Sequence, residues 1–478
     1  MIYTIILIMS LLVGLLVIYA IMNVPDTMER VENDLHESDH LVTLNEESIL
    51  ENIKNRLGGY IYLVAGLAVI LIVFGFYLSI KGTPYEGHFR EWLNLVVRLI
   101  HITFGIAWIG ASFYFVFLEN SLNRTKNIRE ELAGDLWAVH GGGFYHVEKY
   151  KLAPGEIPKD LHWFKYEAYF TWISGFSLLC VVYYFNAKGF LIDPNVADIS
   201  PTLGISLGIG SFVIGWLLYA YLSGSILAKN VPLFALVGLI VLTLFAYFYC
   251  SVFSARAAFI HFGALLGTMM AGNVFFVIIP AQKEMVRCAK AGIPLDPSLG
   301  KNAGWRSFHN NYFTLPVLFI MISNHFPSTF GAANNWAVLM AITVGTAGIK
   351  HYLNLIDQKQ KSVWVLPISV FILLMTAFLT APVISDGKCE TVNFTIIYPI
   401  IQQRCVTCHS ARPTDDVWTS APNGVMYDTP QQIIAKADLI MQRVVVTKNM
   451  PQNNKTNITP EERDLIRCWI EQGASVEN

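Results

Sequence analysis

The sequence predicts an all-α fold: a polytopic transmembrane helix bundle of about ten spans, followed by a small α-helical C-terminal domain. Hydrophobic residues make up 54% of the 478 residues, charged residues only 14%, and the mean hydropathy is +0.46. A soluble domain carries about a quarter charged residues, so most of this chain belongs in lipid. Beyond residue 386 the long apolar segments stop, and a Cys-Val-Thr-Cys-His motif follows.

Ten apolar segments predict the spans, because a bilayer core about 30 Å thick needs roughly 20 residues per helix. The first segment has no basic flank before it, so we interpret it as a retained anchor rather than a cleaved signal peptide. The eighth is the shortest. The segments are 2–22, 58–80, 92–118, 164–186, 202–223, 232–250, 255–280, 312–327, 333–355 and 363–383.

The basic residues predict the orientation of the spans. Loops after the odd-numbered segments hold 17 Lys and Arg residues, against four at the other loops. Cytoplasmic loops hold the excess of basic residues, so both termini should lie outside the cytoplasm. The expected location is a bacterial inner membrane. Residues 1–57 then form an anchor span and an acidic cytoplasmic loop, residues 58–385 the main transmembrane domain, and residues 386–478 a periplasmic domain. A net charge of −2 without long basic runs argues against a nucleic-acid partner.

The strongest motif predicts a covalently attached haem. Cys405 and Cys408 lie three residues apart and can bond two vinyl groups of one porphyrin, while His409 ligates the iron. A zinc site would need a second ligand pair at similar spacing. Met450, followed by proline, is the expected sixth ligand, with Met426 and Met441 as alternatives. The motif, the Met-Pro loop and a closing helix together resemble small bacterial cytochromes c, so we expect one haem c in a periplasmic cytochrome c domain.

Two further cysteines, Cys389 and Cys468, fall in the same predicted compartment. An oxidising compartment permits them to pair. Two free thiols are the alternative, and the spacing alone does not decide between them.

Several histidines fall inside apolar segments, where ionisable groups are costly and face the bundle interior. One polar helix face is expected in the third segment; it comprises Asn94, Arg98, His101, Gly105, Trp108 and Ser112. His101, His261 and His325 fall in the periplasmic third, whereas His309 and His351 lie near the cytoplasmic face. Two of the first three could ligate a b-type haem, with Arg98 or Arg256 beside its propionates. A bound copper or other metal, and plain hydrogen bonds between helices, are the alternatives.

A glycine triplet lies in the loop after the third segment. Residues 137–146 read Trp-Ala-Val-His-Gly-Gly-Gly-Phe-Tyr-His. Such glycines let the backbone approach an anion, and the flanking histidines and aromatic residues suit a flat heterocycle. A tight surface turn would use the same residues.

Four stretches together resemble the N-terminal domain of bacterial membrane-bound urate hydroxylases, whose members join such a domain to a C-terminal cytochrome c. The stretches are Glu-Trp-Leu-Asn-Leu at 91–95, Ala-Trp-Ile-Gly-Ala-Ser-Phe-Tyr-Phe at 107–115, His-Gly-Gly-Gly-Phe-Tyr-His at 140–146, and Asp-Leu-His-Trp-Phe-Lys-Tyr-Glu-Ala-Tyr-Phe-Thr-Trp-Ile-Ser-Gly at 160–175. The resemblance covers residues 90–478 and makes residues 58–385 a urate hydroxylase-like domain. Because the family has about eight spans, residues 1–80 are an addition that could dock a partner subunit in an oligomer or a respiratory supercomplex.

The resemblance implies oxidation of urate to 5-hydroxyisourate with oxygen from water. Electrons would pass through the cytochrome to a soluble cytochrome c or a terminal oxidase. It also leads us to assign catalysis to His140, His146, His162 and Glu167, and substrate binding to Gly141, Gly142, Gly143, Phe144, Tyr145, Trp163 and Lys165.

One difficulty follows from the predicted topology. A cytoplasmic loop and a periplasmic haem are separated by most of the roughly 30 Å membrane core. Either a b-type haem relays the electrons, or the substrate enters deep into the bundle. Two other functions stay open: a respiratory subunit that takes electrons from quinol, and an anchor that only displays a cytochrome c.

Overall fold

The structure is a computed structural model, and it describes residues 72, 75–83, 85–125, 127–158, 161–381, 389–418 and 420–476. The chain divides into two compact units, Met1–Thr83 and Pro84–Asn478. Of the first unit, residues 75–80 are helical. The first predicted span and the acidic loop lie outside the described residues, as does most of the second span.

The described part of the second unit is mostly helical. Its helices are α1 Tyr85–Ser121, α2 Tyr166–Leu179, α3 Ala187–Phe190, α4 Pro201–Gly224, α5 Val231–Val252, α6 Ala255–Gly272, α7 Ile279–Lys290, α8 Pro297–Ser323, α9 Pro327–Phe330, α10 Asn335–Asp357, α11 Val365–Leu379, α12 Phe394–Arg404, α13 Pro430–Ile434, α14 Ala437–Ile440 and α15 Pro460–Glu471. Three π-helical turns occur as well, at Cys180–Tyr184, Asn273–Ile278 and Met441–Val446.

Four of the described helical segments are long and apolar enough to cross a membrane: α1, α4, α5 and the continuous segment Ala255–Lys290. They match the third, fifth, sixth and seventh predicted spans. The other predicted spans in the described residues are helical too, but α2 and α11 have only 14 and 15 residues. Helix α8 begins at Pro297, well before the predicted start at residue 312, and ends at Ser323.

The prediction of an all-α fold is wrong for the segment between α1 and α2. Strands β1, Leu132–His140, and β2, Gly143–Tyr150, form a two-stranded antiparallel sheet. Gly141 and Gly142 connect them with φ angles of 58° and 82°. A two-residue hairpin turn of this kind requires positive φ at both positions, which glycine adopts without strain.

Helix α6 lies at the centre of the membrane bundle. Twelve of its 18 residues are buried, and it packs against α4, α5 and α8. Close approach depends on small residues: a Cβ at Gly263 would lie 2.5 Å from Ile320, and one at Gly215 would lie 2.3 Å from Leu265. Glycines at helix contacts of membrane bundles permit this spacing.

Residues 389–476 have a hydrophobic core of their own, which is separate from that of the bundle. Trp469 of α15 is 1% exposed and packs at its centre, with its Nε1 donating to the carbonyl of Ser475. At the start of α15, the Thr459 hydroxyl accepts from the Glu462 backbone N–H, and the Glu462 carboxylate accepts from the Thr459 N–H. This capping box confirms the helix start that the sequence predicts.

Candidate functional site

The predicted haem ligands lie together at the end of α12. This helix ends at Arg404, and the following turn places Cys405 in the C-terminal core and Cys408 half-buried. Burial raises the pKa of the Cys405 thiol to about 12 and that of the Cys408 thiol to about 11. Both cysteines are free thiols rather than disulfide partners. They are therefore neutral thiols near neutral pH, in a protected position.

The orientation of His409 is fixed by the backbone. Its Nδ1 lies 2.9 Å from the carbonyl oxygen of Val425, so Nδ1 donates the ring proton. The Tyr427 N–H donates to the His409 carbonyl at 2.9 Å, which holds the same loop. Nε2 then keeps its lone pair for a metal, as in histidine ligands whose other nitrogen is hydrogen-bonded. Two adjacent thiols and this imidazole fit the donor set of a c-type haem.

Arg463 of α15 holds the loop of Met450. Its guanidinium donates to the carbonyl oxygen of Met450 at 2.8 Å and also to that of Val444. The Met450 side chain is partly buried and packs against the C-terminal core. Met450 thus belongs to the same core as Cys405, and its role as an iron ligand stays a prediction.

The C-terminal domain contains a disulfide between Cys389 and Cys468, with a Cα–Cα distance of 5.2 Å. This bond settles the alternative between pairing and free thiols in favour of pairing. It joins the segment before α12 to the middle of α15.

An ion pair next to the motif predicts acid sensitivity. Burial of the Glu462 carboxyl favours a higher pKa, but the forked hydrogen bonds from Arg404 at 3.0 Å outweigh it and lower the pKa below the usual 4.5. The pair therefore stabilises the folded domain above about pH 4.5 and loses this contribution as pH falls through the lowered pKa. We expect Arg404→Gln to remove roughly 1 kcal/mol of unfolding free energy near pH 7 and much less near pH 3.

Urea unfolding of the full chain at several pH values, monitored by hydrogen exchange in residues 389–476, measures the loss of unfolding free energy. Arg412→Gln is the matched control, because Arg412 is exposed. A loss for Arg404→Gln that does not change with pH would contradict the pairing.

The C-terminal domain contacts the bundle directly beside the Met450 loop. The amide of Gln452 donates to the carbonyl oxygen of Gly189 at 2.6 Å, and that of Asn453 donates to the carbonyl oxygen of Ile192 at 3.0 Å. Both carbonyls belong to the segment around α3, between α2 and α4. The loop that contains Met450 therefore lies on the membrane bundle.

The hairpin residues lie on an exposed surface. Trp137 stacks on His146 with ring centroids 4.3 Å apart, and both Trp137 and Phe144 are largely exposed. His146 Nε2 lies 3.0 Å from a carboxylate oxygen of Asp135, and this hydrogen bond lowers the pKa of Asp135. The glycine triplet forms the turn, with His140 paired to Gly143 in the register. Of the two interpretations of the glycine triplet, the geometry agrees with the tight surface turn.

A second group lies at the start of α2. His162 Nε2 is 3.9 Å from a carboxylate oxygen of Glu167, whose other oxygen is buried without a hydrogen-bond partner. The ammonium of Lys165 lies 5.9 Å from the Trp163 ring centroid and 4.8 Å from that of Tyr166. No described hydrogen bond, ion pair or ring contact joins this group to the hairpin. The assignment of the two groups to urate stays a prediction.

His101, on the polar face of α1, contacts α2. Its Nδ1 lies 3.1 Å from the carbonyl oxygen of Thr171 and 3.3 Å from the hydroxyl of Ser174. On the same face, Arg98 donates to the side-chain oxygen of Asn94 at 3.1 Å. The polar stripe of the third predicted span thus faces a neighbouring helix at His101.

Both ring nitrogens of His261 have partners within the bundle. Nδ1 lies 2.8 Å from the carbonyl oxygen of Ala257, and Nε2 lies 3.2 Å from the hydroxyl of Tyr184. His325 follows α8 and is exposed. It lines a cavity of about 370 Å³, together with Pro327, Asp438, Leu439, Gln442, Arg443 and Thr447. This arrangement favours the hydrogen-bonding role for His101 and His261, and a b-type haem at these histidines stays a prediction.

Sequence reasoning missed a buried polar group between α4, α6 and α8. We call it the interior polar cluster; it comprises Tyr219, Asn273, Trp305, Arg306, His309 and Asn310. Arg306 lies before residue 312, where the sequence predicts the eighth span to begin, but the early start of α8 places it in the bundle. The spacing of Trp305, Arg306 and His309 on one helix would have been the signal.

A second buried cation, Lys350 of α10, was also missed. It is 2% exposed, and its Nζ lies 3.5 Å from the ring centroid of Phe113. It lines a cavity of about 430 Å³ with Phe113, Tyr114, Phe117, Leu353 and Asp357. The carboxylate of Asp357 in the same lining offers Lys350 a partial counter-charge.

The sequence matches a protein-family model described as urate oxidase N-terminal over residues 87–381, which is more than half of the chain. No curated protein and no solved structure matches it. The matched region extends from the first turn of α1 to the end of α11 and includes the hairpin, the group at the start of α2 and the interior polar cluster. It supports an oxidoreductase that acts on urate, and the chain therefore belongs to the urate oxidase N-terminal family.

Proposed function

We propose that the protein is a membrane-bound urate hydroxylase. It oxidises urate to 5-hydroxyisourate and delivers electrons through a c-type haem to a soluble cytochrome c or a terminal oxidase. In the balanced reaction, urate and one water give 5-hydroxyisourate, two electrons and two protons. The family match supports the substrate. The geometry of His409 supports electron transfer through a haem, because its Nδ1 donates to the carbonyl oxygen of Val425 and two free thiols lie beside it.

The residues of the chain have separate tasks in this proposal. Cys405, Cys408, His409 and Met450 would hold a haem, which would supply an acceptor for single electrons. Arg463 keeps the Met450 loop in place through its carbonyl. A histidine or Glu167 accepts a proton as water adds to the ring. Glu167 suits this task because one of its carboxylate oxygens is buried and unpartnered.

The proposed location is a bacterial inner membrane with the haem domain in the periplasm. The Cys389–Cys468 disulfide supports this side, because structural disulfides persist in oxidising compartments. The excess of basic residues in the odd-numbered loops supports the same orientation. With the first two predicted segments included, the proposed bundle has about ten spans.

An anaerobic visible spectrum of the purified, oxidised full chain tests the function. We expect added urate to reduce the haem, and 5-hydroxyisourate to form without hydrogen peroxide. Allantoin, which lacks the oxidisable purine ring, is the control and should leave the spectrum unchanged. Reduction by dithionite but not by urate would overturn the proposal. Reduction by a quinol in that case would identify the respiratory electron-transfer subunit instead.

A further inference from the structure

The interior polar cluster is deeply buried. Asn273 is fully buried, Arg306 is 5% exposed and His309 is 8% exposed. Asn273 begins the π-helical turn that interrupts the segment Ala255–Lys290. Such turns inside longer helices are frequent at functional sites, because the extra residue re-aims side chains.

The hydrogen-bond directions within the cluster can be assigned from one backbone anchor. The amide of Asn310 donates to the carbonyl oxygen of Met270 at 3.1 Å, so its side-chain oxygen faces Asn273. The Asn273 amide donates to that oxygen and to the Tyr219 hydroxyl, both at 2.8 Å. Tyr219 then donates its own proton to His309 Nδ1 at 2.7 Å. The ring proton of His309 is therefore on Nε2.

Five buried atoms of this cluster have no hydrogen-bond partner among the described residues: Asn273 Oδ1, Trp305 Nε1, Arg306 Nε, Arg306 Nη1 and His309 Nε2. Four are donors and one is an acceptor. A buried polar atom without a partner loses its hydrogen bonds to water without replacement, so a native protein rarely leaves five in one place. These atoms would be satisfied by a ligand that has several hydrogen-bond acceptors and at least one donor.

The charge of the cluster points to an anion. The guanidinium of Arg306 belongs to none of the ion pairs among the described residues, and its Nη2 donates to the carbonyl oxygen of Ala220 at 3.3 Å. An uncompensated charge in a membrane bundle is costly and marks a functional site. Lys350 differs, because Asp357 lines the same cavity.

Aromatic rings surround the unpartnered atoms and suit a flat ligand. The Trp305 and His309 rings are 4.3 Å apart, and the Phe234 ring stacks on His309 at 5.0 Å. The Arg306 guanidinium lies 5.2 Å from the Tyr219 ring centroid. Planar groups of this kind bind heterocycles through stacking in addition to hydrogen bonds.

We propose that the interior polar cluster is the binding site of urate as its anion, an inference that rests on the proposed function. Carbonyl oxygens of an oxopurine accept from Arg306, Trp305 and His309, a ring N–H donates to Asn273 Oδ1, and the negative charge compensates Arg306. The hairpin is less suited, because its His146 already lies against the carboxylates of Asp135 and Glu148.

The location also relates the cluster to the start of α2. The π-helical turn that begins at Asn273 continues with Val274, which packs in one cluster with Ala168, the neighbour of Glu167. Binding at Asn273 thus places urate inside the bundle, on the element that also contacts the start of α2.

Binding of urate to the anaerobic full chain, measured as the shift in thermal midpoint, tests this site. We expect Arg306→Gln and Trp305→Phe to weaken urate binding about 10- to 100-fold, the usual loss for a charged or buried hydrogen bond. Without urate, Arg306→Gln should not lower the thermal midpoint, because it removes an uncompensated buried charge. Arg287→Gln is the matched control, since Arg287 is exposed and pairs with Glu284.

The outcomes separate the two proposals. If the wild-type chain neither binds urate nor is reduced by it, the proposed function fails, and this site fails with it. If the wild type binds urate and Arg306→Gln binds equally well, only the site is overturned. A lower thermal midpoint for ligand-free Arg306→Gln would assign Arg306 a structural role and would also overturn the site. Weaker binding after His146→Gln, with unchanged binding in Arg306→Gln, would return the substrate to the hairpin.

Discussion

Replacing Cys405 and Cys408 together by alanine will abolish covalent attachment of haem. The visible spectrum will then show no haem reduction after urate is added. The two thiols follow α12 in the C-terminal core, next to a histidine whose Nδ1 is occupied by Val425. Without thioether bonds, the haem would be held by its axial ligands alone. Haem staining of the chain after denaturing electrophoresis measures the effect, and we expect a complete loss of signal.

Cys288→Ala is the matched control, because Cys288 is a buried free thiol of α7 outside the motif. It should leave the staining intact. His409→Ala and Met450→Ala should keep covalent haem but change its spectrum, since each removes one of the two proposed axial ligands. Staining that survives in the Cys405→Ala/Cys408→Ala variant would contradict attachment at this motif.

Replacing Cys389 and Cys468 together by serine will destabilise the C-terminal domain by about 4 kcal/mol at most, because the disulfide closes a long loop. The two residues are 79 positions apart, so their bond removes much of the conformational freedom of the unfolded domain. Cys468 is adjacent to Trp469, the largest of the fully buried side chains of that core. Hydrogen exchange of the α12 and α15 amides in the full chain, with increasing urea, measures the loss.

The control replaces Cys180 and Cys250 by alanine, since the structure leaves both as free thiols. Hydrogen exchange of residues 389–476 in this control variant should match that of the wild type. Equal exchange in the Cys389→Ser/Cys468→Ser variant, or alkylation of both thiols in the unreduced wild type, would contradict a disulfide in the mature protein.

The contact between the C-terminal domain and the bundle relates these sites to each other. The Trp418 ring lies 5.6 Å from that of Phe190, next to the bonds that Gln452 and Asn453 form with the bundle. The carbonyl of Phe190 accepts from Ser254, which caps α6. Helix α6 leads through the bundle to the π-helical turn at Asn273. One continuous helical segment therefore connects the proposed urate site with the docked C-terminal domain.

The hairpin shows where sequence reasoning failed. The sequence predicts a loop over residues 132–150. Pairing of the two strands depends on cross-strand contacts that hydrophobic periodicity does not reveal. The stacking of Trp137 on His146 and the ion pair of His146 with Asp135 are such contacts. The positive φ angles of Gly141 and Gly142 account for two of the three glycines without a ligand.

The sequence by itself determined the properties that depend on composition and short spacing. It placed the described spans as helices, because apolar length is a local property, and it located the Cys405, Cys408 and His409 motif and the start of α15 at Thr459. Only the tertiary structure decided the pairing of Cys389 with Cys468 and the partners of His261. It alone brought Asn273 and Arg306 into one buried cluster. These features depend on residues far apart in the chain, and packing in three dimensions decides which of them meet.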